Sequence, residues 1–491
     1  MVKVSKRTQN TISSPDLKMG FISQSCQKFL FISLLGILAS TILSPLILEP
    51  LGLFPSSPQP PEPKEVAFTL DNKLRVLLID RPNSPLVHLV LAVGFGSRDE
   101  TPEAYGLAHC LEHVVLFRGT RSKSIEAINR SLRQKGAWVN GHTSRDLTLF
   151  ELSLPAKALA VGLQDFIDLV FNAQLEEAEL EQEKEVILEE MNLQASEPLS
   201  LAVSIAYENL FPDHPYAHPL IGTKETIGQL TAAKVMEAYH RYYTPANCAL
   251  TVVGDLNRGQ LEKIIRDYFG QLKGDKVSRP PIGSPAPLAK TTRITKELDE
   301  SQSHLLIAFR APNFSQVEQY SFDLLTAILG RGLNPLLALA LAARRVPLAN
   351  LAISYYSHQF SGVFLIHLTV EAKYASSAEN EALRFLRQLY RENFSPDDVL
   401  GETRDYVYDF LQSAKNLVKL NAARSLEDGL SLAAAVASYL LLLGEIQLPS
   451  YLETIDRLQS SDLRQTASRY LGRPEAVVVV INQKKKAEKE K

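Results

Sequence analysis

Alternating apolar and polar residues predict strands interleaved with amphipathic helices along most of the chain. Val66 to Asp80 alternates around Asp71-Asn72, which is typical of a β-hairpin, and His88 to Phe95 is apolar enough for a buried strand. Glu103 to Phe117 instead has helical periodicity. Further strands are predicted at 138–143, 148–154 and 249–253, and further helices at 125–134, 159–171 and 232–243. This mixture predicts an α+β fold.

A weak internal repeat predicts that the fold is built twice. The run His88–Val93 resembles His304–Phe309, and Arg241-Tyr242 and Arg469-Tyr470 each precede an apolar strand. Both matches occur in the same order and about 220 residues apart. We therefore expect two homologous α/β domains, each a mixed, largely antiparallel sheet with helices packed on it.

The N-terminal region predicts a membrane segment. Phe29 to Leu48 carries no charge and is about as long as a bilayer-spanning helix. Basic residues precede it, so the positive-inside rule places the N-terminus in the cytoplasm and the following body outside the cytoplasm, for example in a periplasm. A cleaved signal peptide and an organelle-targeting sequence are the alternatives. Residues 50–63 are rich in proline, which predicts an extended spacer.

Composition narrows the classes of function. The chain has 491 residues, 45% hydrophobic and 22% charged, which is enough for two or three globular domains. Its net charge of -3 gives no reason to expect nucleic acid as a partner. Three cysteines do not make a disulfide framework.

The candidate chemistry concentrates in the H-x-x-E-H pattern formed by His109, Glu112 and His113. Residues four apart on a helix lie on one face, so the two imidazoles could bind one metal ion with Glu112 beside it. Two imidazoles suit zinc, and a catalytic zinc needs a third protein ligand and an open position. The order of residues is that of the inverzincins, the reverse of H-E-x-x-H.

A predicted acidic helix downstream offers candidates for the third ligand. Glu183 and Glu190 are seven residues apart and share one face. With H-x-x-E-H followed by a V-x-x-E-E run that ends at Glu190, the chain resembles the pitrilysin, insulinase and mitochondrial processing peptidase family. The resemblance implies Glu190 as the third zinc ligand and Glu183 as a supporting carboxylate. Helix geometry alone leaves Glu189 as an alternative to Glu190.

Other motifs carry the same resemblance. Phe117–Thr120 matches the family's F-x-G-T, and Gly136–Ser144 matches G-A-x-x-N-A-x-T-S with Gly141 in place of alanine. The resemblance implies two halves that close like a clam shell around the substrate. It also implies that Asn140 contacts the substrate, and the strand around Asn140 could bind an extended peptide by β-augmentation.

The resemblance implies a zinc metalloendopeptidase that cleaves unfolded peptides. One zinc ion, held by His109, His113 and Glu190, would activate a water molecule, and Glu112 would accept the proton of that water as general base. One alternative is a non-catalytic assembly subunit of the same fold. Another is a peptide-binding subunit that keeps zinc without turnover.

The second half departs from the family pattern. Self-sufficient members carry R-x-x-x-x-x-x-Y there, whereas alignment puts Ala343 at the arginine position and Asn350 at the tyrosine position. Arg344 or Arg345 could substitute, although Pro347 disturbs the spacing. The sequence therefore predicts a zinc-bearing subunit that pairs with a homologous subunit carrying the Arg/Tyr motif, with a homodimer as the alternative.

These interpretations give a predicted domain organisation with two homologous domains behind a membrane segment. The segments are a basic N-terminus (1–28), a transmembrane anchor or signal (29–48), a spacer (49–64), a zinc-bearing peptidase domain (65–277), a linker (278–297), a second domain (298–483) and a charged tail (484–491).

Overall fold

The computed structural model describes residues 64–332, 335–389, 410–444, 448–472 and 475–484. The predicted membrane segment and the basic N-terminus lie outside these residues and stay predictions. Among the described helices, none alone has the length and apolar character to cross a membrane. One consecutive pair, Phe410–Glu427 and Gly429–Leu442, meets the criteria of length and composition together, with a 98° bend between its members.

The first half forms a six-stranded sheet. Its strands are β1 (Lys64–Thr69), β2 (Arg75–Asp80), β3 (Leu86–Val93), β4 (Trp138–Thr143), β5 (Thr148–Pro155) and β6 (Cys248–Gly254). Their order across the sheet is β1-β2-β6-β3-β5-β4, and only β2 and β6 are parallel neighbours. The predicted hairpin is present, because β1 and β2 pair antiparallel with Thr69 opposite Arg75. This arrangement leaves β4 as the outermost described strand on one side.

Helices cover the first sheet. They are α1 (Leu107–Phe117), α2 (Ile125–Gln134), α3 (Leu159–Phe171), α4 (Glu177–Ser196), α5 (Pro198–Leu210), α6 (Lys224–Gly228), α7 (Ala232–Tyr242) and α8 (Arg258–Phe269). The helix predicted from Glu103 begins only at Leu107. The reason is Gly106, whose φ of 93° interrupts the helical path. A Cβ at this glycine would come within 2.6 Å of the Ile221 carbonyl oxygen.

The second half repeats the first. Its strands are β7 (Thr292–Leu298), β8 (Ser303–Ala311), β9 (Asn350–Tyr356), β10 (Gly362–Val370) and β11 (Val477–Gln483). Its helices are α9 (Glu318–Gly330), α10 (Leu336–Ala343), α11 (Ala375–Leu386), α12 (Phe410–Glu427), α13 (Gly429–Leu442), α14 (Leu448–Arg457) and α15 (Ser460–Tyr470). The order β7-β11-β8-β10-β9 reproduces β2-β6-β3-β5-β4, again with one parallel pair. Two α/β domains with mixed sheets are therefore confirmed.

Regular structure in the second half starts earlier than the predicted linker allows. Strand β7 begins at Thr292, inside the segment 278–297 that the sequence marked as linker. The proline-rich part of that segment ends before Thr292, and β7 then pairs in parallel with β11.

The two halves exchange helices. Helix α5 of the first half packs on the second sheet, where Ala202 and Ala206 join a buried cluster with Leu306 and Val479. Helix α13 of the second half packs in the same way on β3 and β6 of the first sheet. Separating the halves would expose both apolar clusters to water. The packing therefore disfavours a clam-shell opening between these two halves, and such a closure stays a prediction without structural support.

Candidate metal centre

Helix α1 lies inside the first domain, and a buried carboxylate fixes its start. Oxygens of Glu100 accept hydrogen bonds from the backbone N–H groups of Gly106 and Ala108 at 2.8 and 2.7 Å. These groups belong to the first turn, where a helix has no internal acceptors for its N–H groups. Burial raises the pKa of Glu100, against the lowering effect of the two hydrogen bonds. This cap sets where the helix starts and hence which way its histidines face.

His109 and His113 of α1 meet Glu190 of α4. Nε2 of each histidine lies 3.5 Å from Oε2 of Glu190, and the three candidate ligand atoms all lie within 4.8 Å of one another. The side chains are largely enclosed, with exposed fractions of 11%, 5% and 12%. Glu189, the alternative from helix geometry, is exposed. The structure thus brings together the three residues implied as ligands.

The arrangement fits a zinc ion. Tetrahedral zinc with bonds of about 2.0–2.2 Å to nitrogen and oxygen places neighbouring ligand atoms about 3.4 Å apart. The measured separations from Glu190 to both histidines are 3.5 Å. Burial lowers the pKa of His109, which favours the neutral imidazole that binds metals. Burial also opposes protonation of His113, but hydrogen bonds to Glu183 and Glu190 outweigh it and raise the pKa of His113 to about 10. The carboxylates of Glu183 and Glu190 therefore favour a positive charge beside them, whether it is a proton on His113 or a bound metal ion.

Glu183 supports the centre from behind His113. Its Oε2 lies 3.0 Å from Nδ1 of His113, leaving Nε2 of that ring directed at Glu190. Arg118 donates to the other carboxylate oxygen of Glu183 and also to Oε1 of Gln182. Nδ1 of His109, in contrast, has no hydrogen-bond partner among the described residues. Of the two histidines, His113 is therefore the more firmly oriented.

Glu112 lies beside the histidines and is held by strand β4. The hydroxyl group of Thr143 donates to Oε2 of Glu112 at 2.7 Å, and both side chains are buried. Gly141 leaves room for this glutamate, since a Cβ there would lie 3.0 Å from Cγ of Glu112 and 2.9 Å from Leu116. The position where the family pattern has alanine is therefore tightly packed against α1.

Asn140 lies on the opposite face of β4 from Thr143 because strand side chains alternate. Its Nδ2 lies 3.3 Å from Nε2 of His142, and the same nitrogen of His142 lies 3.2 Å from Oε2 of Glu151. Burial lowers the pKa of His142, but the pairing with Glu151 dominates and raises it. A role for Asn140 in contacting substrate stays a prediction.

The candidate substitutes for the missing Arg/Tyr pair lie on the surface of the second half. Ala343, Arg344, Arg345 and Asn350 are all exposed. Arg344 approaches Glu381 at 4.0 Å, and more than half of its side chain is in contact with solvent. A solvent-exposed ion pair at this distance contributes little to the stability of the fold.

Sequence reasoning missed two residues that contact the centre. Thr143 was visible only as part of a matched motif, and Arg118 only as the variable position of F-x-G-T. Their contacts join β4 to α1 and the end of α1 to α4, so neither follows from helix or strand periodicity. The available signal for Thr143 was a polar residue at the end of a predicted strand, because a polar side chain that becomes buried needs a hydrogen-bond partner.

Comparison with known families agrees with this geometry. The profile described as "Insulinase (Peptidase family M16)" matches residues 75–224, and the profile described as "Peptidase M16 inactive domain" matches residues 229–402. The first match contains all the residues of the centre and the second covers much of the other half. The chain belongs to the M16 family of zinc peptidases, which includes insulinase.

Relatives of this chain are named zinc proteases. An uncharacterised zinc protease of Bacillus subtilis is 27% identical over 54% of this chain and 64% of its own length. Another, from Rickettsia bellii, is 27% identical over 82% of this chain and 93% of its own length. The probable mitochondrial-processing peptidase subunit beta of Schizosaccharomyces pombe is 26% identical over 63% and 70%. The first two of these relatives are named for zinc, and the cluster of His109, His113 and Glu190 in this chain could hold such an ion.

Solved structures share the fold. A protease from Helicobacter pylori superimposes with a TM-score of 0.78 and 22% identity, over 86% of this chain and 99% of its own. A peptidase M16 inactive domain from Pseudomonas fluorescens gives 0.74 and 20% identity over 86% and 98%. The match to the Bacillus subtilis protease spans 64% of that protein, which is less than two thirds of its length.

Proposed function

We propose that this chain is a zinc metalloendopeptidase that hydrolyses peptide bonds in unfolded peptides or short polypeptide segments. The observation that carries the proposal is the convergence of His109, His113 and Glu190 on one point, with Glu112 held beside them. A structural zinc site would use four protein ligands, whereas three ligands and an adjacent carboxylate are typical of catalysis.

The roles of the residues follow from their positions. His109, His113 and Glu190 would hold the ion, and Glu183 orients His113 through its Nδ1. Bound zinc supplies a Lewis acid that polarises the scissile carbonyl and lowers the pKa of a water molecule. Glu112 accepts the proton from the attacking water and passes it to the departing amine. With two neutral imidazoles and one carboxylate as ligands, a divalent ion keeps one net positive charge.

Strand β4 supports binding of an extended peptide. It lies at one end of the order of described strands in the first sheet, with β1 at the other end. A substrate segment could add to it by β-augmentation, which uses backbone hydrogen bonds and so tolerates many sequences. Trp138 at the start of β4 is 39% exposed and could cover an apolar side chain of the peptide. Such binding requires an unfolded substrate.

We further propose that the chain acts as the catalytic subunit of a heterodimer. Ala343 occupies the position of the arginine and Asn350 that of the tyrosine. In addition, each half packs one of its helices on the sheet of the other half. A substrate chamber that opens and closes therefore calls for a second subunit. The Schizosaccharomyces pombe relative is itself named as a subunit, which supports this arrangement. A homodimer is the simpler alternative.

A non-catalytic assembly or peptide-binding subunit is the second candidate. The profile matched by the second half is described as an inactive domain, and the Arg/Tyr pair is missing. The intact arrangement around Glu112 favours the enzyme, because an assembly subunit has no need of a positioned base.

As to location, we propose that the segment Phe29–Leu48 anchors or exports the chain, with the catalytic body outside the cytoplasm.

The test combines metal content with peptide cleavage. The chain from Pro50 onward should bind one zinc per molecule and cleave an unstructured peptide when a homologous partner is added. The Glu112→Gln variant is the control, because it keeps the ligands. Full zinc content in a double variant, His109→Ala with Glu190→Ala, would overturn the metal site. Zinc binding with no cleavage under either condition would favour the non-catalytic candidate.

A further inference from the structure

The hairpin of β4 and β5 contacts the side chain of Glu112 through Thr143. Thr143, the last residue of β4, is 3% exposed and donates to Glu112 at 2.7 Å. Two other possible acceptors, the Thr148 hydroxyl oxygen and the Ala108 carbonyl oxygen, lie farther away at 3.4 and 3.5 Å. A hydroxyl group has one hydrogen, and a charged carboxylate at the shorter distance is the stronger acceptor. The Thr143 hydroxyl therefore fixes one oxygen of Glu112.

Hydrogen bonds close the turn after Thr143. The backbone N–H of Ser144 donates to the Leu147 carbonyl oxygen at 2.8 Å, and the Ser144 hydroxyl donates to the same oxygen at 2.8 Å. Thr148, on the other side of the turn, donates from its hydroxyl to the Phe95 carbonyl oxygen at 2.8 Å. Thr143 therefore belongs to a hairpin whose end is held by hydrogen bonds within the turn and by one to Phe95, outside the hairpin.

Asp146, in the same turn, ties the hairpin to the second half. Its Oδ2 accepts a hydrogen bond from the backbone N–H of Gln359 at 2.9 Å, in the segment between β9 and β10. Its Oδ1 accepts from Arg98 and from the Tyr216 hydroxyl, each at 2.6 Å. Asp146 is 5% exposed, so this ion pair and these hydrogen bonds are shielded from water. Removing the charge would leave Arg98 with only the more distant buried carboxylate of Asp99, at 3.9 Å, as an ion-pair partner among the described residues.

We propose that Thr143 is a positioning residue for Glu112, and that Asp146 holds the Thr143 hairpin in place by binding the second half. The inference rests on the proposed function, because it assumes that Glu112 is the general base. It gives the second half a part in catalysis that involves no contact with the substrate. A base that is free to rotate spends less time within reach of the water it must deprotonate.

Substitutions at Thr143 separate its hydroxyl from its packing. Thr143→Val removes the donor and keeps the shape, so kcat should fall about tenfold or more, with KM and zinc content nearly unchanged. Thr143→Ser keeps the donor and should restore most of kcat. Thr251→Val is the matched control, because Thr251 is a fully buried threonine of the same sheet whose hydroxyl has no partner among the described residues. The control should keep the kcat of the wild type.

The Asp146 link is tested by combining variants. Asp146→Asn should lower kcat in the wild-type background and have no further effect on kcat in the Thr143→Val background, because the hydrogen bond it supports is already gone. Equal losses of kcat in both backgrounds would overturn the role of Asp146. Wild-type kcat in Thr143→Val, or a Thr143→Ser variant as slow as Thr143→Val, would overturn the role of Thr143.

Crystal structures give a readout that does not depend on activity. In zinc-loaded Thr143→Val the Glu112 carboxylate should leave its wild-type position or occupy more than one conformer, whereas in Thr143→Ser it should not. An unmoved carboxylate in Thr143→Val overturns the inference even if the wild type proves to be active. Conversely, if the wild type cleaves no peptide but the carboxylate moves as expected, the proposed function fails while the positioning by Thr143 stands.

Discussion

Oε2 of Glu183 lies 3.0 Å from Nδ1 of His113, so that the ring presents Nε2 to Glu190. Arg118 holds the other oxygen of the same carboxylate. Hydrogen bonds of this kind fix the tautomer and orientation of a metal-binding histidine. Arg118 therefore holds Glu183, and Glu183 holds the His113 ring in the orientation needed at the candidate metal site.

Glu183→Gln should weaken zinc binding without removing a ligand. An amide oxygen accepts the Nδ1–H less strongly than a carboxylate, and the amide can also turn its NH2 group toward the ring. Loss of such a supporting group typically costs about 10–100-fold in metal affinity. Competition with a chelator measures the affinity, and Glu185→Gln, an exposed position of the same helix, is the control. Unchanged affinity would mean that His113 needs no support from Glu183.

Glu112→Gln should retain zinc and lose hydrolysis. The amide cannot accept a proton from water, and Glu112 is not one of the three clustered ligands. Loss of a general base typically costs about 10²–10⁴-fold in rate. The measurement is kcat/KM on an unstructured peptide, with zinc content determined on the same sample. Cleavage at close to the rate of the wild type would exclude Glu112 as the base.

The isolated chain should be weakly active and gain activity from a homologous partner that carries the Arg/Tyr motif. Ala343 and Asn350 stand where the family pattern has the arginine and the tyrosine expected to stabilise the tetrahedral oxyanion, and loss of one such donor typically costs about 10²–10³-fold. The comparison is kcat/KM with and without the partner at fixed zinc. Full activity of a verified monomer would refute the split site. Alanine replacement of Arg344 and of Arg345 would then identify a substitute within the chain.

His218 and His358 should make the folded chain less stable as the pH falls from about 6.5 to about 4. Burial lowers the pKa of His218 to about 4, and that of His358 likewise to about 4. Above the ordinary pKa of histidine, both side chains are neutral in the folded and in the unfolded chain, so they do not make the free energy of unfolding depend on pH. Below it the unfolded chain binds protons that the folded chain refuses, so unfolding becomes easier as the pH drops.

His218→Gln isolates this contribution. The ring of His218 lies 2.8 Å from the Ser97 carbonyl oxygen through Nε2, a bond that a glutamine amide could replace without titrating. The free energy of unfolding, from denaturant titrations with a chelator present, should therefore depend less on pH in this variant than in the wild type. The exposed His240→Gln is the control for loss of a histidine outside the buried cluster. The same slope in His218→Gln as in the wild type would contradict the linkage.

Local patterns predicted what is locally determined. Strand β4 and helices α2 and α3 agree with the predicted bounds, because alternation and helical periodicity reflect burial on one face. The histidine pair needed only the geometry of one helix. The choice of Glu190 over Glu189 depended on how α4 is rotated against α1, which is a tertiary contact. The resemblance to a family supplied that choice and the helix alone did not.

Other features were invisible for a physical reason. Helix α13 is apolar on nearly all sides, which predicts burial but not the partner, and that partner is the sheet of the other half. The contact from Thr143 to Glu112 joins residues 31 positions apart, and that from Asp146 to Gln359 joins residues 213 positions apart. Neither pair has a sequence signature. The membrane segment and the domain bounds stay predictions.

The exchange of α5 and α13 also bears on how the protein can be divided. A chain cut in the proline-rich stretch 278–290 would yield two fragments, each carrying a helix whose apolar face belongs on the other fragment's sheet. Neither fragment could bury its own surface, so each alone would aggregate or unfold. Expressed together, they would recover both clusters and reassemble without a peptide bond between them. The unit of folding is therefore the pair of halves and not either half alone.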